Sequence, residues 1–201
     1  MKSSALNGRL TASLAVFRID WRDLQLNEPN PQVPAQFFIA NAAGARNTGA
    51  ELELTARTAQ GVEVFGGAGL THARFNAGSV SDGVNVSGNK LSNAPSHTAD
   101  IGIQVSRPVW RTASLTVRAE VVRYGDYQYD DANTLGQTAY ALANFRVGVR
   151  GKRLFGEGWM RNAFDTRYVP IAFPYPGLAP SGFIGENGAP RTFGLRVGAT
   201  F

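Results

Sequence analysis

The final residues of the chain, Pro190–Phe201, read P-R-T-F-G-L-R-V-G-A-T-F and decide the fold. Apolar residues occupy every second position, and polar residues or glycines fill the positions between them. The apolar set is Phe193, Leu195, Val197, Ala199 and Phe201. Strict period-two alternation is typical of a β-strand with one apolar and one polar face. Because the apolar face runs to a terminal aromatic residue without a polar tail, it favours a transmembrane β-barrel strand over an edge strand of a soluble sandwich.

The same alternation recurs upstream and predicts an all-β chain with about eight antiparallel strands. The predicted strands are Arg9–Arg22, Gly49–Thr58, Val62–Phe75, Ser96–Ser106, Ala113–Val121, Thr138–Arg150, a blurred segment at Arg153–Tyr168, and the final strand. Glycine and proline mark the segments between them. No run of about 18 apolar residues occurs, so a transmembrane helix is excluded.

The connections between the predicted strands alternate in length. Short turns follow the second, fourth and sixth strands, whereas long loops follow the first, third, fifth and seventh. An outer-membrane barrel sorts its connections in this way, with short periplasmic turns and long extracellular loops. The sequence therefore predicts an up-and-down meander of transmembrane β-barrel strands.

Composition excludes several functional classes. The 201 residues include no cysteine, which removes disulfide scaffolds, zinc ribbons and thiol catalysis. The formal net charge of +5 would permit nucleic-acid binding, but the arginines are spread singly and form no basic cluster. We therefore expect no nucleic-acid partner.

Charged residues alternate with apolar residues inside the predicted strands. Two glutamates at alternate positions of one strand cannot face lipid and are costly in a dry core, so they suit a wet lumen. Both signs of charge occur, which favours cross-strand pairing over a substrate path. The predicted lumen-facing set is Glu51, Glu53, Arg57, Glu63, Asp100, Arg118, Glu120, Arg146, Arg150 and Arg196.

Enzyme signatures are nearly absent. The chain contains no G-x-S-x-G nucleophile elbow and no phosphate-binding G-x-x-x-x-G-K loop, so no catalytic residue, cofactor or enzymatic activity is predicted. The only histidines, His72 and His97, border one long loop. Two histidines alone favour solvated side chains over a metal site, and no metal ligand is predicted.

The long loops hold the candidate ligand contacts. Aromatic and carboxylate side chains there could engage a bulky chelate, although ordinary loop residues are the simpler interpretation of the same composition. The candidates are Tyr127, Tyr129, Asp130 and Asp131 in one loop, and Phe173 and Tyr175 in the Phe173–Pro176 segment of another.

Four motifs resemble those of TonB-dependent outer-membrane receptors. The final strand is similar to the closing strand of that family, and Gly49–Leu54 is similar to its G-x-E-L-E strand opening. Leu91–Thr98 resembles an L-P-N-A-P-x-H-T segment, with Ser92 in place of proline. The stretch N-A-F-D-T-R-Y resembles an N-L-F-D-x-x-Y motif, with Ala163 in place of leucine. Its motif residues are Asn162, Phe164, Asp165 and Tyr168.

The resemblance implies a barrel of about 22 strands that encloses a plug domain. Such receptors take up scarce nutrients, commonly ferric siderophores, with energy delivered by TonB. Residues 1–201 would be the C-terminal portion of the barrel, without the plug, the TonB-contacting segment or a signal peptide. Transport by this portion alone is not expected.

The resemblance also implies a set of partners in the outer membrane of a Gram-negative bacterium. These partners are outer-membrane lipid, the rest of the barrel with its plug, and TonB through N-terminal parts that this chain lacks. The barrel-assembly machinery is a further partner, because the final strand, with Phe193, Leu195, Val197 and Phe201, resembles the signal that it reads.

Two alternatives remain open from the residues. One is a self-contained outer-membrane barrel of about eight strands, used for adhesion or passive permeation. The other is a soluble all-β binding module. Met1–Gly8 has no apolar segment of a secretory signal, which an outer-membrane protein needs.

Overall fold

The structure is a computed structural model that describes residues 1–30, 32–33, 36–41, 44–58, 60–175 and 181–199. These residues form strands, turns and bends, and none of them lies in a helix. Across the described residues, no helix has the length and apolar character needed to cross a membrane. The all-β prediction is confirmed.

Seventeen strands are present in the described residues. They are β1 (Lys2–Ala5), β2 (Leu10–Trp21), β3 (Gln25–Pro29), β4 (Phe37–Asn41), β5 (Ala45–Arg57), β6 (Val62–Phe75), β7 (Val80–Ser81), β8 (Val84–Asn85), β9 (His97–Trp110), β10 (Ala113–Tyr124), β11 (Tyr127–Gln128), β12 (Gly136–Gln137), β13 (Tyr140–Arg150), β14 (Leu154–Arg161), β15 (Ile171–Pro174), β16 (Phe183–Glu186) and β17 (Thr192–Ala199). Nine strands form one antiparallel sheet in the order β1-β2-β5-β6-β9-β10-β13-β14-β17. The remaining eight form four two-stranded hairpins.

The main sheet is an up-and-down meander, as predicted. Its neighbours pair in chain order, with short turns at one end and long connections at the other. Each long connection carries one hairpin: β3–β4, β7–β8, β11–β12 and β15–β16. The loop hairpins therefore gather at one end of the sheet, which we call the loop end.

The sequence prediction missed one strand of the main sheet, and it did not include the eight short strands of the loop hairpins. Strand β1 pairs with β2 along Lys2–Ala5 and adds a ninth strand to the eight that were predicted. Its sequence, K-S-S-A, carries no alternating apolar residues, so nothing in the hydrophobic pattern marks it. It is added through backbone pairing, which is nearly independent of side-chain type.

Several strand boundaries were also wrong. Strand β5 begins at Ala45 rather than Gly49, and β10 ends at Tyr124 rather than Val121. Strand β14 ends at Arg161 rather than Tyr168, because Asn162 and Asp165 adopt positive φ angles of 46° and 54° that a strand cannot continue through. Strand β9 continues to Trp110, past the turn predicted at Arg107. A register irregularity next to Ala113 absorbs the added residues.

One face of the sheet is apolar and exposed in the chain by itself. Leu70 and Ile101 are 63% and 64% exposed, and Leu195 and Val197 are 88% and 83% exposed. A soluble domain would cover such a continuous apolar surface, whereas a barrel strand presents it to lipid. The face therefore argues against the soluble-module alternative.

The opposite face carries aromatic rings that cover glycines of the adjacent strand. Phe65 lies directly across from Gly102, and Phe155 lies directly across from Gly198. A Cβ on Gly102 would stand 2.2 Å from Phe65 Cζ, so only glycine fits beneath the ring. The same relation joins Phe17 with Gly49 and Trp159 with Gly194. These pairs shield backbone on the polar face and fix the strand register.

The buried side chains lie at the loop end, because a single-layer sheet has no second layer to bury its centre. One cluster joins Ala45, Phe75 and Val86, and a second joins Tyr127, Tyr129 and Ala172. Partly buried residues complete them: Trp21, Leu24, Leu26 and Leu91 around the first, and Tyr140 and Val169 around the second. The loops are thus packed onto the polar-face end of the sheet.

Candidate functional site

The four long loops converge on one cleft of about 270 Å³ at the loop end. Strands β3 and β4 form one wall, and residues around β7 and β8 form another. The β10–β13 loop and the tip of β15 complete the lining. Four of the six predicted ligand contacts line this cleft, namely Tyr129, Asp130, Asp131 and Phe173.

Asp131 connects two loops to each other. Ser81 Oγ and Ser92 Oγ donate hydrogen bonds of 3.0 and 2.8 Å to its carboxylate. Asn89 Nδ2 donates a 2.8 Å hydrogen bond to its backbone oxygen. Its carboxylate oxygens are thus engaged within the protein, and they position the wall of the cleft.

Asp130 has a local role in its own loop. Its carboxylate accepts hydrogen bonds from the backbone N–H groups of Thr134 and Leu135 and from Thr134 Oγ1. This is the turn-capping behaviour of aspartate. Asp82 and Phe173 have exposed side chains at the cleft, and Phe173 is 50% exposed. These two are better placed than Asp130 to meet a ligand, and Asp82 was not among the predicted contacts.

Tyr127 and Tyr129 join the β10–β13 loop to the β14–β17 loop. Both rings are buried, and their hydroxyls donate hydrogen bonds to the Val169 oxygen at 3.1 and 2.7 Å. Burial raises the pKa of both phenols above the ordinary value, because an ionised ring would lose its hydration. Both side chains therefore serve as neutral hydrogen-bond donors between the loops.

Tyr175 is half-buried and does not line the cleft. Pro176, the end of the predicted Phe173–Pro176 segment, lies outside the described residues. The six predicted ligand contacts therefore have different positions. Phe173 is exposed at the cleft, and Tyr175 lies outside it. The other four form hydrogen bonds that hold or cap the loops.

The N-A-F-D-T-R-Y motif closes the last long loop. Asn162 is buried, and its Nδ2 donates to the backbone oxygens of Thr166 and Ala189 at 2.9 and 3.0 Å. Asp165 Oδ1 accepts a 2.8 Å hydrogen bond from the Arg191 N–H, just before β17. The first and fourth motif residues thus fix the start of the final strand beside the end of β14.

The two aromatic residues of the motif have different surroundings. Tyr168 stacks on Tyr140 at 4.6 Å between ring centroids, and Tyr140 stacks on Tyr124 at 5.1 Å. Phe164 is 76% exposed. The motif therefore closes the last long loop, and its Tyr168 extends a stack of three tyrosine rings.

All ten predicted lumen-facing charges share one face of the sheet. The pairing register aligns Arg57, Glu63, Gln104, Arg118 and Arg146 in a single cross-strand row. Arg57 and Glu63 form an ion pair across β5 and β6 at 2.6 Å, whereas Arg118 and Glu120 form one within β10 at 2.7 Å. That this face lines a lumen stays a prediction.

Two further charges on the polar face were missed by the sequence reasoning. Glu157 lies 3.8 Å from Arg146, and Arg161 stands over the ring of Trp159 at 5.3 Å. Both are on β14, where glycine, aromatic and methionine residues obscure the alternation. Glu157, Trp159 and Arg161 occupy every second position, and this spacing alone indicates that they share one face of β14.

Positive and negative charges are separated along the polar face. Within the described residues, Glu51, Glu53 and Asp100 have no ion-pair partner. On later strands a cleft of about 540 Å³ is lined by four arginines and two glutamates. Its charged residues are Arg118, Arg146, Arg161, Arg196, Glu120 and Glu157. The face thus has an acidic strip on β5 and β9 and a basic strip on β10–β17.

The predicted assembly signal lies along β17. Phe193, Leu195 and Val197 are 77%, 88% and 83% exposed, in a row on the apolar face. Phe201 lies outside the described residues. Recognition of this strand by the assembly machinery stays a prediction.

The described residues contain no group of three or more His, Cys, Asp or Glu side chains that could hold a metal ion. His72 and His97 instead each accept a hydrogen bond from an arginine, Arg74 at 3.1 Å and Arg123 at 3.4 Å. Both histidines lie on the apolar face at the loop end, next to Leu70 in the register.

Comparison with known proteins gives the same fold. The family model described as "TonB dependent receptor-like, beta-barrel" matches residues 3–162. The ferric yersiniabactin uptake receptor FyuA from Yersinia pestis is similar with a TM-score of 0.82 and 23% identity, covering 100% of this chain and 29% of that one. The siderophore receptor PiuA from Acinetobacter baumannii has a TM-score of 0.73 and 18% identity, covering 98% of this chain and 26% of that one.

A third similar structure is BauA, the ferric preacinetobactin receptor from Acinetobacter baumannii. Its TM-score is 0.71 at 18% identity, with coverage of 96% of this chain and 27% of that one. The chain thus spans less than a third of the length of these receptors. All three of these structures are receptors.

The family match covers most of the chain, and the sheet order, loop sorting and apolar face agree with it. Barrels of this family are outer-membrane proteins of Gram-negative bacteria, so the predicted location is confirmed. The chain belongs to the TonB-dependent receptor β-barrel family.

Proposed function

We propose that residues 1–201 form the C-terminal portion of the barrel of a TonB-dependent active transporter. The nutrient would be a scarce metal chelate such as a ferric siderophore, as in the receptors FyuA and BauA. The rest of the barrel and a plug domain would complete the receptor, and TonB would act through parts outside this chain. We expect no transport by residues 1–201 alone.

The observation that carries the proposal is the convergence of all four long loops on one cleft. Hydrogen bonds from Ser81 and Ser92 to Asp131, and from Tyr129 to Val169, hold the loops together before any ligand arrives. Preorganised loops lower the conformational cost of ligand binding. A lower conformational cost raises the affinity, which a receptor for a dilute nutrient needs.

The lining indicates the chemistry of the ligand. Phe173 offers an exposed aromatic surface, and Asp82 offers an exposed carboxylate. Asn27 and Asn93 add exposed amide groups that can donate and accept hydrogen bonds. This set suits a chelate with apolar rings and hydrogen-bond donors better than one with a high negative charge.

The polar face supports a plug as the partner inside the barrel. Glu51, Glu53 and Asp100 form the acidic strip and have no ion-pair partner within the described residues. Unpaired carboxylates are costly to bury away from water. A plug that presents arginine or lysine to this strip would neutralise it. The basic strip on β10–β17 would receive acidic groups of the same domain.

The sheet edges favour a larger barrel over a self-contained one. Strands β1 and β17 occupy opposite edges of the sheet, and no pairing joins them in the described part of the chain. An open edge in hydrocarbon leaves backbone N–H and C=O groups without partners. Additional strands between β17 and β1 would satisfy both edges.

The proposal is tested with the complete receptor in cells that lack other uptake systems for the same chelate. The double variant Asp82→Asn/Phe173→Ala should raise the apparent KM for ferric siderophore uptake about tenfold, which corresponds to the loss of about 1.4 kcal/mol of binding. Phe164→Ala is the matched control, because Phe164 is exposed in the same long loop but does not line the cleft. Unchanged uptake by the double variant would contradict the assignment of the cleft.

Energy dependence separates active transport from passive permeation. Uptake through a TonB-dependent receptor stops when the inner-membrane proton gradient is dissipated or when TonB is deleted. Uptake that continues under both conditions would favour a permeation barrel. Heat-modifiable migration on gels shows in each case that the variant is folded in the membrane.

A further inference from the structure

Two short turns, at the end of the sheet opposite the loops, carry a group of exposed cations. Arg111 lies in the turn between β9 and β10, and Arg107 lies four residues earlier, near the end of β9. Lys152 and Arg153 lie in the turn between β13 and β14. All four side chains are exposed. We call Arg107, Arg111, Lys152 and Arg153 the turn-end basic cluster.

The two turns lie side by side. Strand β10 pairs with β13, and Ser114 lies directly across from Arg150 where both strands reach their turns. A Cβ on Gly151 would stand 3.7 Å from the Thr112 oxygen, so the second turn touches the first. Neighbouring strands are only about 4.8 Å apart. The cations of the two turns therefore form one surface.

The charge of the turn-end basic cluster is not compensated by nearby carboxylates. Residues 106–115 and 148–156 contain no aspartate or glutamate. The next acidic residue along β14 is Glu157, which lies on the polar face beside Arg146 at 3.8 Å. Like charges gathered on two adjacent turns repel one another, so a bound anion would stabilise this end of the sheet.

A register irregularity brings Trp110 to the apolar face. In a regular strand Arg107 and Trp110, three residues apart, would point to opposite faces. Here Arg107 lies across from Leu115 and Trp110 lies across from Ala113, and both partners belong to the apolar face. A β-bulge re-aims side chains in this way. The indole is 70% exposed on the face that meets lipid.

Leu154 extends this apolar surface beside the second turn. It follows Arg153 directly, lies across from Ala199 on the apolar face, and is 68% exposed. Barrels carry aromatic side chains at the boundary between acyl chains and headgroups. Cations next to an exposed indole and leucine match that boundary. This amphipathic surface favours an anionic lipid over an acidic soluble protein.

We propose that the turn-end basic cluster binds the headgroup of a phospholipid with two phosphate groups, of the cardiolipin type, in the periplasmic leaflet of the membrane. The three arginines contact the phosphates, because a guanidinium binds phosphate through paired hydrogen bonds. The acyl chains lie against Trp110 and Leu154. Four cations match two phosphates better than a headgroup without net charge. The proposal depends on the outer-membrane barrel fold and is independent of the nutrient.

The test compares lipids on the complete receptor, freed of lipid in a neutral detergent. Native mass spectrometry and thermal unfolding are recorded with cardiolipin, phosphatidylglycerol and phosphatidylethanolamine that carry the same acyl chains. We expect cardiolipin to raise the Tm and to bind at least about tenfold more tightly than phosphatidylethanolamine, with phosphatidylglycerol between them. Equal binding of the three lipids would overturn the proposal.

Two soluble competitors separate a lipid site from other anion sites. Millimolar inorganic phosphate and an oligoglutamate peptide should displace little cardiolipin, because neither offers acyl chains to Trp110 and Leu154. Complete displacement by phosphate would assign a simple anion site. Complete displacement by the peptide would assign a surface for an acidic protein. Either result would overturn the lipid assignment.

Substitutions locate the site on the barrel. Arg107→Gln/Arg111→Gln/Arg153→Gln should weaken binding of cardiolipin at least about tenfold. The matched control is Arg22→Gln/Arg167→Gln/Arg191→Gln, which removes the same charge from exposed arginines outside the two turns. Heat-modifiable migration on gels shows that each variant is folded. Equal loss in both triple variants would reduce the effect to net charge and would refute the assignment.

Trp110→Ala tests the apolar part of the surface separately. It should weaken binding of all three lipids by a similar factor, because the indole contacts the part of the lipid that they share. Phe193→Ala is the matched control, since Phe193 is 77% exposed on the same face but lies at the loop end of β17. Unchanged binding by Trp110→Ala, or an equal loss in Phe193→Ala, would contradict the proposed position of the acyl chains.

Discussion

The ring of Phe65 lies over Gly102 on the neighbouring strand, and the guanidinium of Arg118 lies over the same ring at 4.1 Å from its centroid. The glycine, the aromatic ring and the cation form a stack across β9, β6 and β10 on the polar face. The ring of Phe65 can occupy this position only because Gly102 has no side chain, and Arg118 contacts the ring in that position. The stack therefore links strand register to the position of a lumenal charge.

A methyl group on Gly102 should break this stack. Gly102→Ala would place Cβ 2.2 Å from Phe65 Cζ, and moving the ring would displace Arg118. We expect a loss of about 1–3 kcal/mol in the free energy of unfolding, typical of overpacking. Denaturant titration of the complete receptor in detergent measures it. Gly148→Ala is the control, because its nearest neighbour would be 3.5 Å away; an equal loss there would contradict the argument.

Asn162→Ala should loosen the closure of the last long loop. The substitution removes hydrogen bonds to Thr166 and Ala189 and places alanine at a φ of 46°. We expect a loss of about 2–4 kcal/mol, from the hydrogen bonds of a buried side chain and the unfavourable φ. Hydrogen exchange at residues 162–175 reports the local effect.

Asn7→Ala is the matched control for the backbone contribution. Asn7 has a similar φ of 56° but is exposed in the β1–β2 turn. Its substitution should cost only the conformational part, about 1 kcal/mol. Equal losses at Asn7 and Asn162 would show that the side-chain hydrogen bonds contribute nothing.

The Lys90–Asp126 pair should make loop stability depend on pH in the acidic range. The Lys90 ammonium and the Ser96 hydroxyl donate hydrogen bonds to the carboxylate and hold the pKa of Asp126 below its ordinary value of 3.8. Because the folded pKa is depressed, the stabilisation is complete above about pH 5 and is lost as the pH falls through the folded pKa. The half-exposed pair should contribute less than about 1 kcal/mol.

Asp126→Asn tests this dependence. The variant should be slightly less stable than the unaltered protein at neutral pH, and the difference should vanish as the pH drops below 3.8. Urea titrations at several pH values measure it. Asp82→Asn, which removes a carboxylate outside the described ion pairs, should give a difference that does not follow this profile. A pH-independent effect of Asp126→Asn would contradict the proposed electrostatic origin.

Tyr129→Phe should weaken the contact between the β10–β13 loop and the β14–β17 loop. It deletes the hydroxyl that donates to the Val169 oxygen and leaves that acceptor without this donor. A loss of about 1–2 kcal/mol is expected for a buried hydrogen bond. Protease accessibility of the β14–β17 loop and unfolding titrations check the result. Tyr175→Phe, outside the cleft, should leave both unchanged; loosening there as well would point to a general effect of loop composition.

Much of the fold could be predicted because the strands carry a period-two pattern. Phe193, Leu195 and Val197 identify a lipid-facing row without reference to any other strand, and the alternating Glu51 and Glu53 identify a polar face. Strand β1 escaped prediction because K-S-S-A has no pattern, and the end of β14 escaped because the positive φ of Asn162 is invisible in the hydrophobicity. The backbone conformation at Asn162 and the pairing of β1 depend on contacts with other parts of the fold, which a hydrophobic pattern does not show.

The candidate site was only partly predictable for a related reason. Loop composition indicated Asp130, Asp131 and Phe173, but the sequence does not tell a carboxylate that binds loop hydroxyls from one that faces a ligand. Ser81 and Ser92 are about 40 to 50 residues from Asp131 along the chain. They reach it because β9 and β10, which follow and precede their loops, are neighbours in the main sheet. Asp82 was overlooked because it stands in a loop of small polar residues.

By itself, the sequence determined the class of fold, the meander, the sorting of turns and loops, and the separation of an apolar face from a charged one. Those features follow from alternation along single strands, which is local information. Only the tertiary structure decided which side chains meet: the aromatic rings over glycines, the two loops joined by hydrogen bonds to Asp131, and the separated charge strips. These contacts join residues that are distant in sequence, and their register depends on how each strand pairs with its neighbour.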